Sequence, residues 1–76
     1  MTANDFERVL NGFARRRPFR PFLIEFNSGD RLLVVHPEAV VRDGELFVYR
    51  APDRGQRVMA GGSICQVIDP PPTGPA

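Results

Sequence analysis

The chain has 76 residues, a net charge of +1 at pH 7 and 42% hydrophobic residues. A chain this short forms one domain and buries only about 60% of the surface that its unfolded form exposes, which excludes a large internal cavity. Cys65 is the single cysteine and His36 the single histidine, so an intrachain disulfide and a zinc site of soft ligands are excluded as well. We expect no metal and no other cofactor, and self-association is the remaining way to support so small a core.

The sequence shows no membrane-spanning or secretory signal. No apolar run approaches the roughly 18 residues of a spanning helix. The opening residues 1–6 contain no basic patch and no signal-peptide core. We therefore expect a cytoplasmic protein that has no membrane partner.

The first predicted element is an amphipathic helix over residues 4–16. Four apolar residues recur at the i, i+3, i+4 and i+7 spacing of one helical face, namely Phe6, Val9, Leu10 and Phe13. Asn4 followed by Glu7 matches an N-cap with an acid three residues later. An isolated helix of this length is marginal in water, so we expect it to dock on the strands that follow.

Pro18 and Pro21 separate this helix from the first strand. Proline fixes its own φ and favours extended geometry in the residue before it, so these prolines should end the helix and lead Phe22 into a strand. A glycine-containing turn at 27–30 then predicts a tight hairpin. The return strand, 31–36, is apolar on both faces, and we expect the sheet interior to cover one face and the helix the other.

The remaining strands are short and bounded by turn residues. Pro37 interrupts the second strand, which resumes over 39–42, and Asp43-Gly44 predicts a two-residue hairpin. The strands that follow are predicted at 45–50, at 57–60 and, after a 3₁₀ turn, up to residue 68. Counting the interrupted strand once gives about five antiparallel strands that curl into a small barrel or form an open twisted sheet. We expect one domain over 1–69 and a disordered proline-rich tail over 70–76.

This order of elements resembles the SH3-like small barrels. Because a helix precedes the strands, the nearest comparison is the Sm-like branch of these barrels, which includes bacterial Hfq. Residues 63–68 match the 3₁₀ turn and closing strand of those barrels. The resemblance implies an α+β fold with the N-terminal helix packed on a five-stranded antiparallel barrel. RNA-binding members carry a Lys-His pair before the closing turn, where this chain has Ala60-Gly61-Gly62. Their RNA pocket is therefore not carried over.

A second resemblance covers most of the chain. The PFRPF opening at 18–22, the glycine-turn hairpin and His36-Pro37-Glu38 are similar to those of a group of short, uncharacterised bacterial proteins. This resemblance implies a bacterial origin and no particular activity.

Candidate catalytic and metal-binding residues are few. His36 beside Glu38 could be a general base, and Cys65 could be its nucleophile, but only if the two side chains lie within hydrogen-bond reach. The alternative is a strand-end histidine and a buried, inert cysteine. The loop carboxylates Glu38, Asp43, Glu45 and Asp53 fit turn positions and show no metal-ligand spacing. We predict no catalytic residue, no metal ligand and no enzymatic activity.

The arginines are the main surface feature. Arg15, Arg16, Arg17 and Arg20 surround Phe19 and could contact nucleic acid or another anion, with the aromatic ring as a stacking platform. The alternative is that arginines at a helix C-terminus stabilise the helix dipole. We therefore predict a non-enzymatic interaction module that self-associates or binds a protein partner. The second hypothesis is a weak nucleic-acid-binding protein that uses this basic patch.

Overall fold

The computed structural model describes residues 1–51, 53 and 55–71. The elements in chain order are α1 (Ala3–Ala14), β1 (Phe22–Phe26), β2 (Arg31–Val34), β3 (Val40–Asp43), β4 (Leu46–Arg50), β5 (Gln56–Ala60), the 3₁₀ turn η1 (Gly61–Ser63) and β6 (Ile64–Ile68). The predicted α+β class is confirmed. No helix in these described ranges is long and apolar enough to cross a membrane. Of the predicted disordered tail, residues 72–76 lie outside the described part of the chain.

The strands form two antiparallel sheets of three strands each. Sheet A has the order β2-β1-β6 and sheet B the order β3-β4-β5. The predicted closed barrel and the count of five strands are wrong, because the segment around Pro37 ends one strand and starts another in a different sheet. Proline has no N–H for the ladder, and the chain turns there, with the Ala39 N–H donating to the His36 carbonyl at 3.2 Å.

Two glycine turns set the hairpins. The first lies at 27–30 as predicted, whereas the second consists of Gly44 and Glu45, one residue later than the predicted Asp43-Gly44, because Asp43 pairs with Leu46. Gly29 has a φ of 94° and Gly44 a φ of 63°, a region that L side chains rarely adopt. In the first hairpin the Gly29 N–H donates to the Phe26 carbonyl at 2.8 Å, and Glu25 pairs with Arg31 just beyond the turn. These turns fix which side chains of β1 and β4 face the core.

The N-terminus of α1 differs from the prediction. The N-cap is Thr2, whose hydroxyl accepts from the Asp5 N–H at 3.0 Å, and Asn4 already lies within the helix. The Asn4 and Glu7 side chains instead accept hydrogen bonds from the Arg42 guanidinium of β3, each at 2.9 Å. The polar residues that resembled a capping pair therefore tie α1 to sheet B.

The C-terminus of α1 also lies earlier than the predicted residue 16. The helix ends at Ala14 and Arg15 is the C-cap, its N–H donating to the Asn11 carbonyl at 3.1 Å. Phe13 is the last residue of α1 that packs against the core, so no apolar contact supports another turn. The chain then passes Pro18 and Pro21 and enters β1 at Phe22, as expected.

α1 bridges the two sheets from one side of the core. The Phe6 ring meets the Phe47 ring of sheet B edge-to-face at 4.6 Å, and Phe13 meets Phe22 of sheet A at 5.2 Å. The helix packs chiefly on η1 and β6. The prediction that α1 covers the outer face of β2 is wrong: Leu33 on that face is 48% exposed, because the helix packs on the other side of the sheet.

Gly61 permits the closest approach between α1 and the sheets. It is buried, and a Cβ at this position would lie 2.8 Å from the Cα of Ala3. The obstacle is backbone at the helix N-terminus, so it cannot swing aside as a flexible side chain could. Residue 61 must therefore be a glycine for α1 to pack this closely on η1.

Substituting Gly61→Ala should lower the free energy of unfolding by about 1–3 kcal/mol, the usual range for overpacking a tight contact. The matched control is Gly62→Ala, where an added Cβ meets nothing within 4 Å and we expect a change within about 0.5 kcal/mol. Urea unfolding of both variants measures the difference. Equal stability of the two variants would contradict the close packing of α1 on η1.

Candidate functional site

The structure divides the four candidate arginines into two groups. Arg15 and Arg17 are exposed, whereas Arg16 and Arg20 both reach Asp69, which follows β6. Arg16 Nη1 lies 2.8 Å from Asp69 Oδ1, and Arg20 Nη2 lies 3.5 Å from Asp69 Oδ2. The predicted basic patch is thus partly neutralised by one carboxylate of the same chain.

Arg16 is the most firmly held of the four. Its side chain is only 20% exposed, its Nη2 donates to the Arg20 carbonyl at 2.9 Å, and its guanidinium lies 4.6 Å from the centre of the Phe13 ring. Its Nε atom is buried without a hydrogen-bond partner among the described residues. Arg16 therefore presents a fixed, oriented cation to the surface.

The helix dipole can account for Arg15 but not for Arg16 and Arg17. The last turn of α1 contains no basic residue, and only Arg15 lies at the C-cap. Arg16 and Arg17 lie beyond the helix, where the influence of the dipole falls off. The contact with Asp69 is the structural reason for Arg16.

Asp69 has a pKa below its ordinary value. The main cause is the hydrogen bond from Arg16, aided by the charges of Arg16 and Arg20, while desolvation acts in the opposite direction. The carboxylate is 43% exposed, so water screens the ion pairs. Sequence reasoning missed Asp69 because 49 positions separate it from Arg20. Only the pairing of Ile68 with Leu23 in sheet A brings it there.

Two shallow grooves meet at the Arg20–Asp69 contact. The first has a volume of about 440 Å³ and is mainly apolar, with Pro21, Leu23, Leu33, Pro70 and Pro71 completing its walls. The second, of about 460 Å³, runs along α1 past Val9, Gly12, Phe13 and Arg16. The arginine cluster is therefore accessible from two sides.

His36 and Cys65 lie at opposite ends of sheet A. β1 lies between β2, which ends two residues before His36, and β6, which contains Cys65. Val34 of β2 pairs with Phe22 at one end of β1, and Ile64 of β6 pairs with Phe26 at the other end. The structure does not bring together the Cys–His pair that the sequence allowed. Cys65 is exposed rather than buried, because the register of β6 shifts between Glu25 and Phe26 and turns Cys65 outward.

The candidate loop carboxylates do not converge. Glu38, Asp43, Glu45 and Asp53 are all exposed. Asp53 accepts from the Gly55 N–H at 3.2 Å, which is a turn contact. Among residues 1–51, 53 and 55–71, no three His, Cys, Asp or Glu side chains are grouped as metal ligands would be.

The outer face of sheet B is a second candidate surface. Val41, Val48 and Val58 lie opposite one another across β3, β4 and β5, and Val41 and Val58 are 51% and 60% exposed. Leu46 and Ala60 form the next pair on the same face. The sequence did not distinguish this face, because β4 is apolar on both sides and either side could have been the core.

No family model, curated protein or solved structure matches this chain.

The ion pair predicts a specific titration. We expect the Asp69 carboxyl to titrate below the ordinary aspartate range and to return towards it in Arg16→Gln, since the Arg16 hydrogen bond is the main cause of the shift. Because the folded pKa is lowered, any stability from this contact is present above the unfolded pKa and lost as the pH falls through the folded pKa. Carboxyl-detected NMR measures both values.

The control for this titration is Arg31→Gln, which removes the 3.4 Å contact with Glu25 and should leave Asp69 unchanged. An Asp69 pKa that is identical in the wild type and in Arg16→Gln would show that the contact does not form in solution.

Proposed function

We propose that this protein is a non-enzymatic interaction module that self-associates through the outer face of sheet B. The observation that supports this function best is the row of valines on three adjacent strands, in which Val41 and Val58 are exposed and flank the half-buried Val48. An apolar stripe that no part of the described chain covers is typical of an interaction site. The small core gives the chain a further reason to bury this surface against another molecule.

A second copy of the chain is the partner that the charges favour. Asp43 pairs with Leu46 at one end of the face, and Arg50 lies at the other end of β4. A two-fold axis across the strands through the valine row would place the Arg50 end of one copy over the Asp43 end of its partner. Val48 would then meet Val48 of the partner subunit at the centre, and each end of the interface would join opposite charges.

The size of the face sets the strength of this association. Three strands of four or five residues, about 4.8 Å apart, offer much less than the roughly 800 Å² per partner of a standard stable interface. We therefore expect a weak, concentration-dependent dimer.

The SH3-like and Sm-like character of the fold, and membership of the bacterial group with the PFRPF opening, are part of the same proposal. The order of elements supports the first, since α1 leads, η1 directly precedes β6 and β6 pairs with β1. At the family's Lys-His position, Gly61 packs against Ala3, so the proposed function does not use that RNA pocket.

Nucleic-acid contact through the arginine cluster is the second candidate function. The exposure of Arg15 and Arg17 favours it, because both guanidinium groups are accessible to phosphate. The Asp69 carboxylate argues against this function, because it already pairs with Arg16 and Arg20.

Placing a charge in the valine row should strongly weaken self-association. We expect Val58→Glu to raise the dimer dissociation constant at least about tenfold, since a carboxylate buried between two apolar faces is costly. The fold should persist because Val58 is exposed. Sedimentation equilibrium over a range of concentrations gives the mass of each variant.

The matched control is Leu33→Glu, which changes a similarly exposed aliphatic residue on sheet A and should leave dimerisation intact. A wild-type chain that stays monomeric at millimolar concentration would contradict the proposal, as would equal effects of the two variants.

A charge reversal tests the predicted orientation. Arg50→Glu or Asp43→Arg alone should weaken the dimer about two- to fivefold, whereas the double variant should recover most of that loss. The same sedimentation measurement applies. If the double variant is weaker than both single variants, the antiparallel arrangement is wrong.

A further inference from the structure

Asp69 occupies its position between the arginines in the manner of a bound anion. Its two oxygens are shared between two cations, Oδ1 with Arg16 at 2.8 Å and Oδ2 with Arg20 at 3.5 Å. Arg16 is held in place by Phe13 and by the Arg20 carbonyl, independently of Asp69. The cationic site is therefore built by α1 and the segment before β1, and Asp69 enters it from the far end of the chain.

The Asp69 carboxylate makes a close contact with Arg16 but not with Arg20. The contact with Arg20 is long, at 3.5 Å, and Arg20 is 55% exposed, so this guanidinium has donors left for a further oxygen. A phosphate group carries more oxygens, arranged tetrahedrally, and arginine binds it with paired, charge-assisted hydrogen bonds. It can contact Arg16 and Arg20 at once and still present an oxygen to a flanking arginine.

The local charge also favours an anion with more charge than Asp69. Four arginines lie within residues 15–20, and Asp69 is the one acidic side chain that pairs with them among the described residues. Asp69 is 43% exposed and follows the last residue of β6. Its carboxylate can leave the site without uncovering the core.

We propose that Arg16 and Arg20 form a phosphate-binding site that the carboxylate of Asp69 occupies in the free chain. The ligand chemistry is a phosphate group, either free or as the phosphodiester of a single-stranded nucleic acid. Asp69 acts as an internal competitor, so the ligand must displace it and its apparent affinity is lowered by the fraction of chains in which the site is closed. This inference rests on the arginine site of the second candidate function and is independent of dimerisation through sheet B.

The test is an NMR titration of the full chain with two probes, inorganic phosphate and a ten-residue oligothymidylate, at constant ionic strength. Asp69→Asn removes the competing charge and keeps the size of the side chain. Because an exposed ion pair closes the site only weakly, we expect this variant to bind one or both probes about two- to fivefold more tightly than the wild type. If the introduced asparagine still accepts a hydrogen bond from Arg16, the gain would be masked. Asp69→Ser, with a shorter side chain, should then show the gain of about two- to fivefold.

The control for net charge is Asp30→Asn. Asp30 is exposed and lies in the β1–β2 turn, at the end of sheet A away from Asp69. Asp30→Asn removes the same charge as Asp69→Asn and should change the affinity for the probes by less than half as much as Asp69→Asn does. Adding Arg16→Gln to Asp69→Asn should remove the gain, because the site then lacks its fixed cation.

The two probes distinguish the source of the phosphate. A gain for both supports a site for any phosphate group, and a gain for oligothymidylate alone supports a phosphodiester ligand. Equal gains in Asp69→Asn and Asp30→Asn would overturn the proposal. A gain that survives Arg16→Gln would also overturn it, as would the failure of both probes to bind. Oligothymidylate that binds the wild type as tightly as Asp69→Asn would leave nucleic-acid contact standing and refute the role of Asp69.

Discussion

The seating of α1 across both sheets is the constraint on which the rest of the structure depends. Phe6 joins the helix to Phe47 in sheet B, and Phe13 joins it to Phe22 in sheet A. Full burial of a ring such as that of Phe6 contributes about 1.5–3 kcal/mol before the entropy cost of folding is subtracted. Gly61 makes this seating feasible, because any larger residue would meet the backbone of Ala3. Arg42 adds a polar tie through Asn4 and Glu7.

The interaction surfaces follow from what the helix leaves uncovered. The inner faces of both sheets and one face of α1 form the core, so the outer faces and the chain ends are the surfaces left for a partner. On sheet A, Glu25 binds both Arg31 and Gln66, which makes part of the outer face polar. The apolar row beside it, Leu33, Leu23 and Ile68, has only Leu33 exposed. On sheet B, Val41 and Val58 are both exposed, and no ion pair between described residues crosses the valine row. The difference between the two outer faces is our reason for assigning self-association to sheet B and anion binding to the arginines near sheet A.

Local signals in the sequence predicted the elements but not their tertiary roles. The hairpins at Gly29 and Gly44 could be predicted because a positive φ is a property of a single residue, and the start of β1 at Phe22 followed from the prolines before it. The predicted cap at Asn4 was wrong because its partner, Arg42, is 38 positions away, and no local pattern indicates a contact at that distance. The break at Pro37 was visible, but its consequence, two sheets instead of one barrel, depends on which strands pair.

The candidate site shows the same limit. The arginines were evident from the sequence, whereas Asp69 enters the site only through the pairing of β6 with β1. The valine row likewise depends on the register of three strands. The measurement that tests the central claim most directly is an isotope-filtered NOE experiment on a mixture of labelled and unlabelled chains at millimolar concentration. If α1 completes the core and leaves sheet B as the contact face, intermolecular NOEs will connect the methyl groups of Val41, Val48 and Val58. Intermolecular NOEs from Leu23 and Leu33 of sheet A, or from Phe6 of α1, would contradict it.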